Sequence, residues 1–247
     1  MSGHEFQSFF PESGSIDYTD TASSITDETI AEMRQIAARY PEPRSALLPM
    51  LHLVQSVDGR ISPRGIEACA EVLGISTAQV AGVATFYTMY VRKPGGKHHV
   101  GVCTTALCAV MGGDILLDEV SEKLGVGEGE TTADGMFTLE RIECNAACDY
   151  APVMMVDWEF MDNMDPVKAA TMIDELAAGR PVQSTRGPVL SGWRNTERML
   201  AGFPDGRADE GPSAGPASLL GLQIAEERGW RAPTSGEIAA EVKEENQ

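Results

Sequence analysis

Residues 98–108, His98-His99-Val100-Gly101-Val102-Cys103-Thr104-Thr105-Ala106-Leu107-Cys108, run as a mostly apolar strand into a C-x4-C pair. Residues 136–148 repeat the arrangement. Phe137, Leu139 and Ile142 alternate like a strand, and Cys144-Asn145-Ala146-Ala147-Cys148 follows as C-x3-C, with 35 residues between the two pairs. Each pair follows a predicted strand, so its cysteines are expected in loops leaving one edge of a sheet, where backbone N–H groups are free to point at sulfur. Thr104, Thr105, Ala106, Asn145, Ala146 and Ala147 are short enough for these loops to wrap closely. In a 2Fe-2S centre each iron takes two thiolates and two shared sulfides, so two separated cysteine pairs match two irons. A structural zinc ion with four cysteine ligands also uses two pairs and stays open as the alternative, although zinc ribbons favour C-x2-C knuckles. Neither pair contains the histidines of a Rieske centre, and the C-x-x-C of a thioredoxin-type redox pair is absent.

Outward from the cysteines, Ile115, Leu116, Val120 and Leu124 are spaced for a helix packed on a sheet over 113–124, and 125–135 is a turn-rich connection. Residues 153–156 and 158–161 are short strand candidates joined as a hairpin, and 166–178 form a closing helix. The order βαββα after a helical prefix implies an α/β sandwich. Upstream, Pro94-Gly95-Gly96 breaks the chain, and before it four helical patterns make a bundle over 26–94. The first carries Ile30, Met33, Ile36, Ala37 and Tyr40 behind Asp27 and Glu28; Ser45 is the expected cap of the second, which carries Leu47, Leu48, Leu51 and Val54. Ser62-Pro63 opens the third, with Ile66, Cys69, Ala70 and Leu73 before Gly74. Ser76 and Gln79 form a capping box for the fourth, bearing Val80, Val83, Ala84 and Tyr87. Residues 1–25 read as a loose polar arm, 95–180 as the cysteine-bearing domain, and 181–247 as an irregular, Gly-, Pro- and Ser-rich extension. One helix is expected in that extension, over 217–228, with Leu219, Leu220, Leu222 and Ile224 needing a surface to cover.

The chain has 247 residues, 43% of them hydrophobic, which suits a globular protein. A formal charge of -18 argues against sequence-independent nucleic-acid binding, which needs clustered Lys and Arg. No uninterrupted apolar run is long enough to span a membrane and the N-terminus has no signal-peptide pattern, so a cytoplasmic location is the default expectation. Cys69 falls on an apolar stripe and is expected in the core. Gly125, Gly127 and Gly129 are read as a plain turn. His98 and His99 alternate faces in a strand, which predicts one structural and one solvated histidine. Trp158 is expected in the core, while Trp193 and Trp230 on the extension are equally suited to docking.

Val83-Ala84-Thr85-Phe86-Tyr87, Gly96-Lys97-His98-His99-Val100, Val102-Cys103, Cys108, Thr131-Thr132-Ala133-Asp134-Gly135, Phe137-Thr138-Leu139 and Ala151-Pro152-Val153 together carry a resemblance that spans about residues 26–180. With them the sequence resembles the thioredoxin-like ferredoxin subunit that sits beside the flavin subunit of NADH-quinone oxidoreductase, respiratory complex I. It implies an α+β chain: an N-terminal helical bundle, then a thioredoxin-like α/β domain in which Cys103, Cys108, Cys144 and Cys148 ligate one 2Fe-2S cluster. It also implies an electron-transfer subunit of an oxidoreductase, without catalytic residues or complete turnover of its own. FMN and NADH would belong to the adjacent flavoprotein subunit, and the large iron-sulfur subunit would be a second partner. The complex would be peripheral to the cytoplasmic side of the membrane. The same module resembles subunits of NAD-linked hydrogenases and formate dehydrogenases. Two departures stand out: the family usually has Leu-Gly where this chain has Asn145-Ala146, which is expected to alter amide geometry, and the extension after residue 180 is longer, so no family role transfers to it.

Overall fold

The computed structural model describes residues 22–236; most of the expected arm over 1–25 lies outside them. Local signals set the bundle. In α1 (Asp27–Ala37), Thr26 and Thr29 form a capping box and Met33 and Ile36 are buried. A 3-10 turn over Pro43–Ala46 leads into α2 (Leu47–Asp58), so Ser45 lies inside that turn rather than capping the helix. α2 buries Met50, Leu51, His52, Leu53, Val54 and Gln55, as a helix surrounded by others must. α3 (Pro63–Leu73) starts on the Ser62 cap and stops at left-handed Gly74, and α4 (Thr77–Phe86) starts on the Ser76–Gln79 box. Cys69 is in this core, and burial pushes its thiol up to about 12. Tyr87 falls outside α4 and, like Phe86, is exposed rather than on its packed face.

The second core forms between a sheet and two helices. Strands β1 (His98–Cys103), β2 (Phe137–Ile142), β3 (Met154–Val156) and β4 (Glu159–Met161) lie in the order β2-β1-β3-β4. β1 and β2 are parallel, with Cys103 opposite Ile142; the other pairs are antiparallel. A short helix α5 (Ala106–Val110) and then α6 (Gly113–Leu124) make the crossover that parallel pairing needs. α6 and α7 (Pro166–Ala177) bury Leu116, Leu117, Val120, Met172, Ile173 and Leu176 against Val100, Val102, Leu139 and Met154. Leu116, Val120 and Leu124 pack on the sheet as expected, but Ile115 points away and is 63% exposed, and Leu117 is buried in its place. β3 and β4 are joined by Asp157-Trp158 with both φ angles positive, 53° and 66°, as a two-residue hairpin turn requires. Trp158 is therefore in a turn and only half-buried, not in a strand core.

The expected irregular extension behaves differently in its first part. After α7 the chain runs past β4, where the Thr185 N–H donates to Phe160 (2.9 Å), and reaches Lys97 through the Trp193 N–H (3.0 Å). It then forms α8 (Trp193–Leu200), which packs on α2. Trp193 is 1% exposed, a core residue rather than a docking one. Its ring stacks on His99 at 4.0 Å and 1°, covering the sheet face that alternation predicted to be solvated; both His98 and His99 are buried. The carboxylate of Glu197, fully buried, accepts from His52 Nδ1 (2.6 Å) and Gln55 Nε2 (2.7 Å) on α2 and from Trp158 Nε1 (2.9 Å) in the hairpin turn. Asp157, next to that tryptophan, accepts from His98 Nδ1 (2.6 Å) and the His99 N–H (3.0 Å). One buried carboxylate on α8 thus joins the bundle to the sheet. Residues 212–247 form a separate unit, whose described part contains α9 (Pro216–Glu227) with Leu219, Leu220 and Leu222 exposed.

Replacing Glu197 with Ala takes the acceptor from His52 Nδ1 and from the half-buried Trp158 Nε1, and leaves Gln55 Nε2 with only the Met89 carbonyl at 3.2 Å; it should cost roughly 3–5 kcal/mol of stability. Urea unfolding checks this: the midpoint should fall at unchanged slope, and an unmoved midpoint would refute the role of Glu197 as the junction.

Candidate metal centre

Parallel pairing of β1 with β2 sends both strands out at the same end of the sheet, and each is followed there by a cysteine pair. Cys103 is the last residue of β1, buried, its N–H bonded to the Val153 carbonyl at 3.1 Å. Cys108 is not in a loop as expected but in the single turn and a half of α5, also buried. Gly113 lets α6 begin directly beneath: a Cβ there would stand 2.5 Å from the Cys103 carbonyl oxygen and 2.8 Å from that of Cys108. Cys144 lies in the loop after β2, and Cys148 opens a 3-10 turn, Cys148–Tyr150; both are exposed. Their sulfurs are 3.5 Å apart. Ala147 and Val153 line the floor with Cys103 and Cys108, backed by Ile142, Ala151 and Phe160.

Donors converge on this sulfur cluster. The Ala146 N–H donates to Cys144 and is the first cause holding that thiol below its ordinary value, followed by Cys148 and Thr105. Ala146 adopts φ 55°, the left-handed conformation a glycine takes without cost. Cys148 is raised, first by sharing a proton with Cys144 and then by burial. Burial pushes Cys108 up to about 11, opposed by the Val153 N–H, while its contact with Cys103 raises it further. The four side chains therefore act on one another across the two pairs: the neighbouring Cys148 helps to raise Cys108, and Cys103 helps to raise Cys148.

Three neighbours carry no sequence signal of a site. Thr105 Oγ1 is 3.1 Å from Cys103 Sγ. Arg141 on β2 donates to Thr104 Oγ1 (2.7 Å) and pairs with Glu128 (2.8 Å), fixing the first cysteine loop to the strand that delivers the second. Arg186, from the segment after α7, lies over the rings of Tyr150 (5.0 Å) and Phe160 (4.7 Å) and pairs with Asp162 (2.8 Å), bracing the Cys148 turn. Thr105 lies within the first cysteine pair and Arg141 three residues before the second, but nothing in the residue types there marks either as a contact of the site, and Arg186 is far from both in the chain.

The donor set fits a dinuclear iron-sulfur centre. Its four sulfurs are arranged as pairs, amide N–H groups face them, and the floor is apolar, which are the features that stabilise anionic sulfur. Among the described residues no three His, Cys, Asp or Glu side chains are gathered as a single metal ion would require.

Residues 33–177 match the thioredoxin-like 2Fe-2S ferredoxin family, and with this fold and these cysteines the chain belongs to it. Relatives narrow the class. A protein from Mycobacterium tuberculosis, named as a subunit of NADH-quinone oxidoreductase, is 54% identical over 203 residues, which cover 82% of this chain and 81% of the relative. NADH-quinone oxidoreductase subunit 2 of Thermus thermophilus is 35% identical over 159 residues, covering 63% of this chain and 88% of that one. An NAD+-reducing NiFe-hydrogenase solved in its H2-reduced state superposes with a TM-score of 0.50 at 18% identity. That match covers 55% of this chain and 22% of the hydrogenase chain, and bears on the fold alone.

The order of thiol reactivity in the metal-free chain follows from these surroundings. Because a lowered pKa means more thiolate at neutral pH, Cys144 should be alkylated first, with Cys108 (about 11) and Cys69 (about 12) last. Brief iodoacetamide treatment at pH 7 followed by peptide mass spectrometry gives the order. Earlier labelling of Cys148 than of Cys144 would contradict the assigned Ala146 hydrogen bond.

Proposed function

We propose that this chain is an electron-transfer subunit of an NADH-quinone oxidoreductase, holding one 2Fe-2S cluster on Cys103, Cys108, Cys144 and Cys148. The observation that carries the reading is the delivery of two cysteine pairs to one end of the sheet, with N–H donors facing the sulfurs. When bound, the cluster supplies a one-electron couple, exchanging single electrons with the FMN of the adjacent NADH-oxidising subunit. The protein's own residues do the rest. The apolar floor of Ala147 and Val153 keeps water from the Cys103–Cys108 side. The exposed Cys144–Cys148 side is open to a partner.

The partners in this reading are the flavoprotein subunit that binds FMN and NADH and the large iron-sulfur subunit, at the cytoplasmic face of the membrane. Among the described residues no single helix is long and apolar enough to cross that membrane. A respiratory complex is favoured over a hydrogenase or formate dehydrogenase by the 54% identity to the mycobacterial NADH-quinone oxidoreductase protein. The unit over 212–247 is the candidate docking element, because Leu219, Leu220, Leu222 and Trp230 are all exposed on it. The preceding residues are not: α8 belongs to the core, so a cut at 181 would remove Trp193 and Glu197 from it.

Purified without oxygen, the chain should hold about two irons and two acid-labile sulfides. Dithionite should then produce a spin-one-half signal at low temperature, and Cys144→Ser should abolish the visible absorbance. One zinc and no sulfide would overturn the reading. A chain ending at Gly211 should keep the cluster but recover several-fold less flavoprotein subunit on co-purification; full recovery would remove the docking role.

A further inference from the structure

We infer that Thr105 is a positioning residue for the redox centre, its hydroxyl donating to the ligand sulfur of Cys103 and raising the potential at which the centre is reduced. The inference rests on the proposed cluster and concerns what this side chain does toward it.

Three observations meet at Thr105. Its Oγ1 lies 3.1 Å from Cys103 Sγ. The same hydroxyl is among the causes that hold the Cys144 thiol below its ordinary value, and Cys144 comes from the other strand and the other pair. Finally, Thr105 occupies the N-cap position of α5, with φ -80° and ψ 164°, where a threonine hydroxyl ordinarily bonds back to a first-turn N–H; here there is no side-chain capping bond. The residue has the backbone of a cap while its side chain turns to the sulfurs instead.

In the metal-free chain Cys103 and Cys144 stand in for thiolate ligands. A thiol and a hydroxyl can each donate to the other, but a metal-bound thiolate carries no proton, so with the centre occupied the hydroxyl is the donor. Reduction adds one negative charge, part of which falls on the ligand sulfurs. A donor fixed on them therefore stabilises the reduced state more than the oxidised one and raises the potential. The neighbouring loop residue is held independently. Arg141 Nη1 donates to Thr104 Oγ1 at 2.7 Å, while Glu128 and Asp114 hold the guanidinium at 2.8 and 3.5 Å. The loop thus stays tied to β2 whatever side chain stands at 105.

The test uses the full chain loaded anaerobically with iron and sulfide, and reads the midpoint potential by titration of the low-temperature spin signal. Thr105→Val keeps the shape and removes the hydroxyl; it should load to the same iron content and titrate at a more negative potential. Thr105→Ser, which restores the donor, should return to the wild-type midpoint. A loaded Thr105→Val with an unchanged midpoint overturns the inference while leaving the cluster assignment intact. A wild-type chain that takes up no iron and sulfide overturns both. If Val prevents loading, Thr105→Ala is titrated instead under the same criterion. Should Ala fail as well, loading by Thr105→Ser at the wild-type potential supports the hydroxyl's role, and failure of Ser too, or a displaced potential in it, counts against it.

Discussion

Everything at the sulfur site depends on β1 and β2 running parallel with Cys103 beside Ile142. In an antiparallel pair the following loops would emerge at opposite ends of the sheet. Parallel strands need a crossover, and the one built here is itself part of the site, because α5 carries Cys108 and α6 starts against the backbone of both cysteines. The register is fixed by the core beneath. Val100, Val102 and Leu139 face α6 and α7, and a slip of one residue would turn those side chains out of the core and take the second cysteine loop out of line.

The parts of this arrangement that were legible in the sequence are the local ones. Ser62-Pro63, Ser76 with Gln79, and Gly74 marked helix ends through bonds to groups two to four residues away, and the structure places them there. The cysteine pairs announced themselves by residue type and interval. What escaped was decided by distant partners. α5 is too short to show a period, so Cys108 looked like a loop residue. α8 has a buried face built from Trp193, Thr196 and Glu197, and a face that buries a carboxylate and a hydroxyl does not read as apolar. Its meaning lies in His52 and Gln55, more than a hundred residues earlier. One of His98 and His99 is expected to face solvent, and both are buried for the same reason: the ring that covers His99 comes from the extension.

Asn145-Ala146, the departure from the family's Leu-Gly, shows how a local rule can be overridden. Alanine in the left-handed region costs roughly 1–2 kcal/mol, yet Ala146 adopts φ 55°, with its N–H the first cause that lowers the Cys144 thiol. On one side β2 fixes the entry to the loop; on the other the Cys148 turn is anchored by the Tyr150 N–H on the Ala147 carbonyl and the Asn163 N–H on the Tyr150 carbonyl. Ordered surroundings over-determine the loop, so the alanine's strain is tolerated where the sulfur needs a donor.

This gives the first part of the extension a function at the site although it contributes no ligand. Arg186 lies over Tyr150 and Phe160 and is held by Asp162, so the turn that carries Cys148 is clamped from the segment leaving α7. The same segment continues to α8, where Glu197 takes Trp158 Nε1 from the β3–β4 hairpin and His52 from the bundle. A cluster with thiols on the surface would be vulnerable if their loop opened, because exposed loops are where local unfolding is cheapest. Here opening the Cys148 turn requires parting the Tyr150 ring (5.0 Å) and the Asp149 carboxylate (3.7 Å) from a guanidinium that Phe160 and Asp162 hold in place. The exposed half of the sulfur site is therefore stiffened from outside by residues 181–203, while the buried half is stiffened by the sheet and helices that enclose it.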